Sequence, residues 1–289
     1  MMSMCKQFMA LIVYNFRKVN KRNLVLLYSL FVVITIIYLI TYQRFGISMY
    51  FDPTEEVFKT IKGNMWDNIY ELVSYELFFP ISILLICMYG TYCSFKKDPY
   101  EILAQTRSTS RFTYVNAKMA FVLAFNAIAF FIVYVTIILL SMTFFDIKMG
   151  WSPELMLLSE YTNIYNAFDF SVIIIITYIA SLTTLSYLFG FLVLQTKHHL
   201  TGPIIVVAYQ IFEKLLLGLD PSFRISETIK LCCMSTYLLV GGRNLFADDP
   251  YLISVATGIV LPIISMLLAY LLMLLALAHR KNRKDATLL

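Results

Sequence analysis

Five stretches of this chain run for 19 to 28 residues without one charged side chain: Leu24–Tyr42, Leu77–Phe95, Met119–Phe145, Ser171–Leu194 and Tyr251–Ala278. An α-helix rises about 1.5 Å per residue, so about 20 apolar residues cross the ~30 Å of bilayer hydrocarbon. Each stretch is long enough to cross, or nearly so. A sixth, Leu200–Leu219, is interrupted by Glu213 and Lys214. That pair lies two-thirds of the way along, where long side chains reach the interface. Its cost is then below the ~2.5–3.5 kcal/mol of a charge at the midplane. Only 14 % of residues are charged and 60 % are hydrophobic, too little charge to cover a soluble domain of this size. The expected fold is an all-α integral membrane protein, residues 1–289 forming one membrane domain with six transmembrane helices.

Lysine and arginine set the orientation. With a cytoplasmic N-terminus, fifteen of the 23 basic residues fall inside and eight outside. The acids run the other way: Asp98, Glu101 and Asp285 are inside, and the other fifteen are outside. Both termini are therefore expected in the cytoplasm of a multi-pass cell-membrane protein. The first apolar stretch follows a charged lead of 20-odd residues and lacks a small-residue cleavage site, which separates it from a signal peptide.

Ahead of that stretch, "MCKQFMALIVYNFRKVNKR" places Phe8, Leu11, Ile12, Tyr14 and Phe16 before a basic cluster. The pattern predicts a short interfacial helix, apolar flank in the lipid and basic end towards anionic headgroups. Residues 43–76 and 146–170 read as outer loops, acidic and carrying Trp66 and Trp151. In residues 220–250 the apolar run Leu231–Val240 is only ten residues long. It is too short to cross, so a re-entrant or interfacial helical segment, or a lid on the protein surface, is expected before the last span.

Several chemistries lack their residues. The five cysteines are odd in number, two of them adjacent, and imply free thiols rather than a disulfide framework. No Gly-x-x-x-x-Gly-Lys-Ser/Thr loop is present, so the chain has no ATPase motif of its own. His-Glu-x-x-His and Gly-x-Ser-x-Gly are missing too, against a membrane protease. The histidines (His198, His199 and His279) have no further metal ligands nearby in sequence. No basic stripe interleaved with aromatics points to nucleic acid. A gradient-driven carrier keeps an ionisable relay near the midplane, and only Glu213 with Lys214 could serve; the expectation for these two is an intramembrane or capping ion pair.

One segment stands apart: "DPYEILAQTRSTSRFTYVNAKM" (98–119), polar and bounded on both sides by apolar spans. Residues 96–118 face the cytoplasm in the expected orientation. Asp98 suits a helix cap, Pro99 the first helical position, and Glu101 the reciprocal capping site. "STS" (108–110) offers a second cap for a helix running into the third span. On it Arg111 and Lys118 share one face, which with Arg107 makes a basic interfacial collar.

Glu101, "TRSTSR" (106–111), Tyr114 and Lys118 resemble the pattern after span two in the permease subunit of type-2 ABC exporters. There a glutamate is followed by roughly Thr-Pro-x-Ser-Arg, an aromatic and a lysine. The interfacial helix, six spans and helical dip before the last span resemble that class as well. Two features depart from it: the proline is missing, and Asp98-Pro99 replaces a usual Gly-Thr. The resemblance implies that a separate ATP-binding subunit docks on the loop, at Asp98, Glu101, Arg107 and Arg111. ATP would be used by that partner, with no cofactor or metal bound by this chain. A second permease chain, identical or homologous, would complete the pathway for a hydrophobic or amphipathic substrate such as a peptide, drug or lipid. The other readings are an ion-coupled transporter or channel using Glu213, and a non-transporting immunity or scaffold protein.

Overall fold

The computed structural model describes residues 4–46, 48–52, 57–61, 63–74, 78–96, 111–153, 166–195, 208 and 255–279. Seven helices form over these residues: α1 (Met4–Lys18), α2 (Lys21–Phe45), α3 (Met65–Ser74), α4 (Phe78–Phe95), α5 (Arg111–Phe144), α6 (Ala167–Gln195) and α7 (Val255–His279). A two-stranded antiparallel hairpin, β1 (Ser48–Asp52) and β2 (Val57–Ile61), lies between α2 and α3. Three helices, α2, α5 and α6, are long and apolar enough to cross a membrane, and α4 and α7 carry shorter apolar stretches over 79–95 and 259–275. Over their described residues the five uninterrupted apolar runs fall on helices, with Phe145 just past the end of one. The stretch Leu200–Leu219 is described only at residue 208, and 220–250 lies outside the described residues.

Contacts along the helices fix their directions. On α5, Met119, Asn126, Phe130 and Tyr134 meet Tyr187, Ser186, Tyr178 and Ser171 of α6 in falling order, so the two are antiparallel. Helix α4 also opposes α5: Phe79 packs on Phe130 at one end, and Gly90 on Phe125 further along. Phe79 beside Tyr178 and Phe95 against Gly190 then show α4 and α6 running the same way. This up-down arrangement is the cheapest way to join crossing helices with short connections.

Helix α6 is the hub. From Ala180 to Tyr187 every residue is buried, including Ser181, Thr183, Thr184 and Ser186. Lipid tails are as apolar as leucine, so membrane helices gain stability from close packing, and small residues permit the approach. Glycines do this at two positions. The Phe125 ring occupies the space a Cβ at Gly90 would fill, and Phe95 Cε2 lies 2.9 Å from a Cβ built on Gly190. Polar side chains add rungs between α5 and α6. Asn126 Nδ2 donates to Ser186 Oγ (3.0 Å), and Tyr134 Oη to Ser171 Oγ (2.8 Å).

Helix α2 is peripheral. Phe31, Thr35, Leu39 and Tyr42 form its narrow buried stripe. Leu26, Leu30, Val33, Ile37 and Ile40 form an exposed one, with exposed Arg22 and Arg44 continuing it at the two ends. Twenty-two residues of helix separate those arginines, about 33 Å, close to the hydrocarbon thickness.

Residues 43–76, read as a loop, contain instead the hairpin and α3. Gly46 ends α2 with φ 83°, its N–H donating to Tyr42 O (2.7 Å). Asn64 then caps α3: its Oδ1 accepts from the Trp66 and Asp67 amides (2.8 and 3.2 Å), and Asp67 Oδ2 accepts from the Asn64 amide (2.7 Å). This is a reciprocal capping box with asparagine and aspartate in the usual roles. The other Asp67 oxygen accepts from the Ser152 amide (3.1 Å), and Asn64 Nδ2 donates to Gly150 O (2.7 Å). One buried carboxylate therefore staples the segments before α3 and after α5, and Trp151 closes the joint against Tyr70 and Phe170.

Candidate functional site

The residues bordering the polar segment are the end of α4 and the start of α5. Residues 97–110 lie outside the described residues, so Asp98, Glu101 and Arg107 are not placed, and neither are Glu213 and Lys214. Arg111 is the first residue of α5. The expected helix running from the "STS" cap into the third apolar stretch is therefore present from Arg111 onward. It holds for 34 residues, about 50 Å, longer than hydrocarbon alone requires.

Helix α1 is bound to this end of the bundle. The sequence assigned its apolar flank to lipid. In the structure that flank packs on protein: Leu11 and Asn15 are buried, with Phe8, Ile12 and Phe16 half-buried against the core. The Phe16 ring meets Phe121 edge-on at 4.8 Å. Asn15 supplies the polar tie, its Oδ1 accepting from Ser94 Oγ (3.2 Å) and its Nδ2 donating to Leu11 O (2.9 Å). Lys18 Nζ donates to Lys96 O (2.9 Å). An ammonium satisfies one of the carbonyls that α4 leaves open at its C-terminus, where the helix dipole favours positive charge. At the α1–α2 elbow, Asn20 Oδ1 accepts from the Arg22 amide (3.0 Å) and starts α2.

Lys118 was expected on an exposed basic face with Arg111. Instead it is buried, its Nζ 5.2 Å from the Phe95 ring centre and 4.9 Å from that of Tyr114. The correction is physical. The long stem reaches across the α4–α5 contact, and two ring faces replace part of the lost water, worth about 2 kcal/mol where a cation is desolvated. Phe95 is pinned in turn over Gly190. One turn of α5 around Lys118 also reaches α6 and α7. Tyr187 Oη donates to Met119 O (3.1 Å), and Tyr270 Oη to Asn116 Oδ1 (2.7 Å).

The result is a collar in which α1, the end of α4, the start of α5 and parts of α6 and α7 are cross-tied around the ends of segment 97–110. The ties are amide–hydroxyl and ammonium–carbonyl bonds and ring contacts. Named contacts at the two ends of the segment thus reach three further helices, α1, α6 and α7. Of the residues in this collar, sequence reasoning had singled out Tyr114 and Lys118 but missed Asn15, Ser94, Asn116 and Tyr270. Asn15 left a readable trace: one amide at helical spacing among Phe8, Leu11, Ile12 and Phe16. The others lie in apolar runs where nothing in the sequence marks a partner. No family model matches the chain, and neither curated proteins nor solved structures yield a match.

Proposed function

We infer that this chain is the membrane-spanning permease subunit of an ATP-driven exporter, with six spans and both termini in the cytoplasm. The observation that carries the reading is the collar. A polar segment joins two antiparallel apolar helices, and its ends are tied to α1 by Asn15 and Lys18, to α6 by Tyr187 and to α7 by the Asn116–Tyr270 bond. A loop left only to connect two spans has no need of such cross-ties; a loop that receives force does. A separate ATP-binding subunit grips residues 97–111, with Asp98, Glu101, Arg107 and Arg111 as the docking contact. ATP is consumed there and not on this chain. A second permease chain completes the pathway, and the cargo is hydrophobic or amphipathic: a peptide, drug or lipid.

Charge reversal at the loop tests the reading. Glu101→Arg should insert normally in the membrane but lose both the ATP-binding subunit and export. Export at the unmodified rate by that variant would count against the assignment.

A further inference from the structure

Once α1 is docked on protein, its expected lipid-facing flank is no longer available, and the structure leaves a different surface for lipid. On α1 the exposed residues include Cys5, Met9, Val13 and Arg17, one every four positions and thus one stripe. On α2, exposed Lys21 and Arg22 stand one turn before Val25 and Leu26, each 60 % exposed, with Leu30 one turn further. Two stripes therefore converge on one elbow, and the three exposed cations Arg17, Lys21 and Arg22 stand at their junction. No acidic residue occurs in the chain before Asp52, so nothing within this segment neutralises them.

We propose that the α1–α2 elbow binds an anionic phospholipid, its phosphate held by Arg17, Lys21 and Arg22 and an acyl chain lying along Val25, Leu26 and Leu30. Charge complementarity selects the headgroup. The apolar stripe running directly from the cations selects a lipid over a free anion. The elbow joins the collar through Lys18 and Asn15, so an occupied site would hold α1 against the end of α4. The inference rests only on the chain being embedded in a membrane and not on the exporter reading.

The test uses full-length protein in phosphatidylcholine vesicles, with a trace of spin-labelled phosphatidylglycerol or spin-labelled phosphatidylcholine. The motionally restricted fraction of each label gives their relative affinity. A basic residue near an anionic surface contributes about fivefold in affinity, so after screening we expect at least about a tenfold preference for phosphatidylglycerol. R17Q/K21Q/R22Q should bring the ratio near one, R22Q alone should lower it about fivefold, and R17K/R22K should retain it. Should the triple variant not fold, R22Q and R17K/R22K decide alone. K281Q/K284Q, in the C-terminal basic cluster, should leave the ratio unchanged. Equal affinities in the wild type, an unchanged ratio in R22Q, or an equal loss in K281Q/K284Q would each overturn the site. Displacement of the label by excess inorganic phosphate would make it an anion site and overturn the lipid assignment.

Discussion

Gly90 offers the most direct test of how α4 meets α5. A methyl group there would overlap the Phe125 ring along one edge, three ring carbons being closer than any ordinary contact. Phe125 is itself buried, held between Phe16 and Phe121, so it cannot swing aside into open space. Either α4 moves off α5 or the ring leaves its rotamer. Overpacking of this kind costs about 1–3 kcal/mol, which sets the expected loss for Gly90→Ala. Phe125→Leu removes the obstructing edge and creates a small cavity, costing about 1–3 kcal/mol by itself. In the double variant the new methyl occupies space the ring has vacated. Gly90→Ala combined with Phe125→Leu should therefore add at least about 1 kcal/mol less than Gly90→Ala costs in the wild type, within the coupling range of contacting residues. Reversible unfolding in mixed micelles, titrated with denaturing detergent, measures all four corners of the cycle. Additive effects, or a neutral Gly90→Ala, would show that the helices are not in this contact and would undo the packing order of α4, α5 and α6.

Asp67→Ala should destabilise the joint between α3 and the segment after α5 by about 2–5 kcal/mol, because the Asn64 and Ser152 amides lose their acceptor and α3 loses half its capping box; the fluorescence melt of Trp151 and Trp66 reports it. Tyr270→Phe should cost about 0.5–1.5 kcal/mol through its hydrogen bond to Asn116, read in the same detergent titration, and should leave insertion unchanged. Asn126→Leu should cost less than about 1.5 kcal/mol despite the buried site. Its Oδ1 has no hydrogen-bond partner among the described residues, and interhelical polar bonds in membranes average about 0.6 kcal/mol. A cysteine pair replacing Asn15 and Ser94, in a chain whose native cysteines are changed to serine, should cross-link within one chain under mild oxidation. Failure to form that bond would detach α1 from the collar.

The helices were legible where hydropathy alone decides. Leu24–Tyr42, Met119–Phe145 and Ser171–Leu194 lie on α2, α5 and α6 with ends differing by one to eight residues, because an uncharged run of that length has no other stable state in a bilayer. Their longer bounds come from polar first turns. Arg111 to Lys118 extends α5 outside the apolar run, a helix signal only capping residues could give. The hairpin and α3 were not legible. In α3 a helical signal was there but short, Met65, Ile69, Leu72 and Val73 recurring on one face over only ten residues, and the Asn64–Asp67 box was hidden because it uses asparagine and aspartate where serine and glutamate are expected. Lys118 failed for another reason. Charge predicts exposure until a side chain finds ring faces to replace water, and Phe95 is brought to it by Gly190 from a third helix. Such three-body arrangements have no sequence signature.

The proposed function requires an external nucleotide-hydrolysing subunit that pulls on this chain through the segment between α4 and α5. Affinity purification of the full-length protein from its native membranes, with identification of every co-purifying polypeptide, addresses it most directly. We predict a stoichiometric ATP-binding subunit that is retained by wild-type protein and lost with Glu101→Arg. Recovery of the chain alone, or with partners none of which binds nucleotide, would contradict the account.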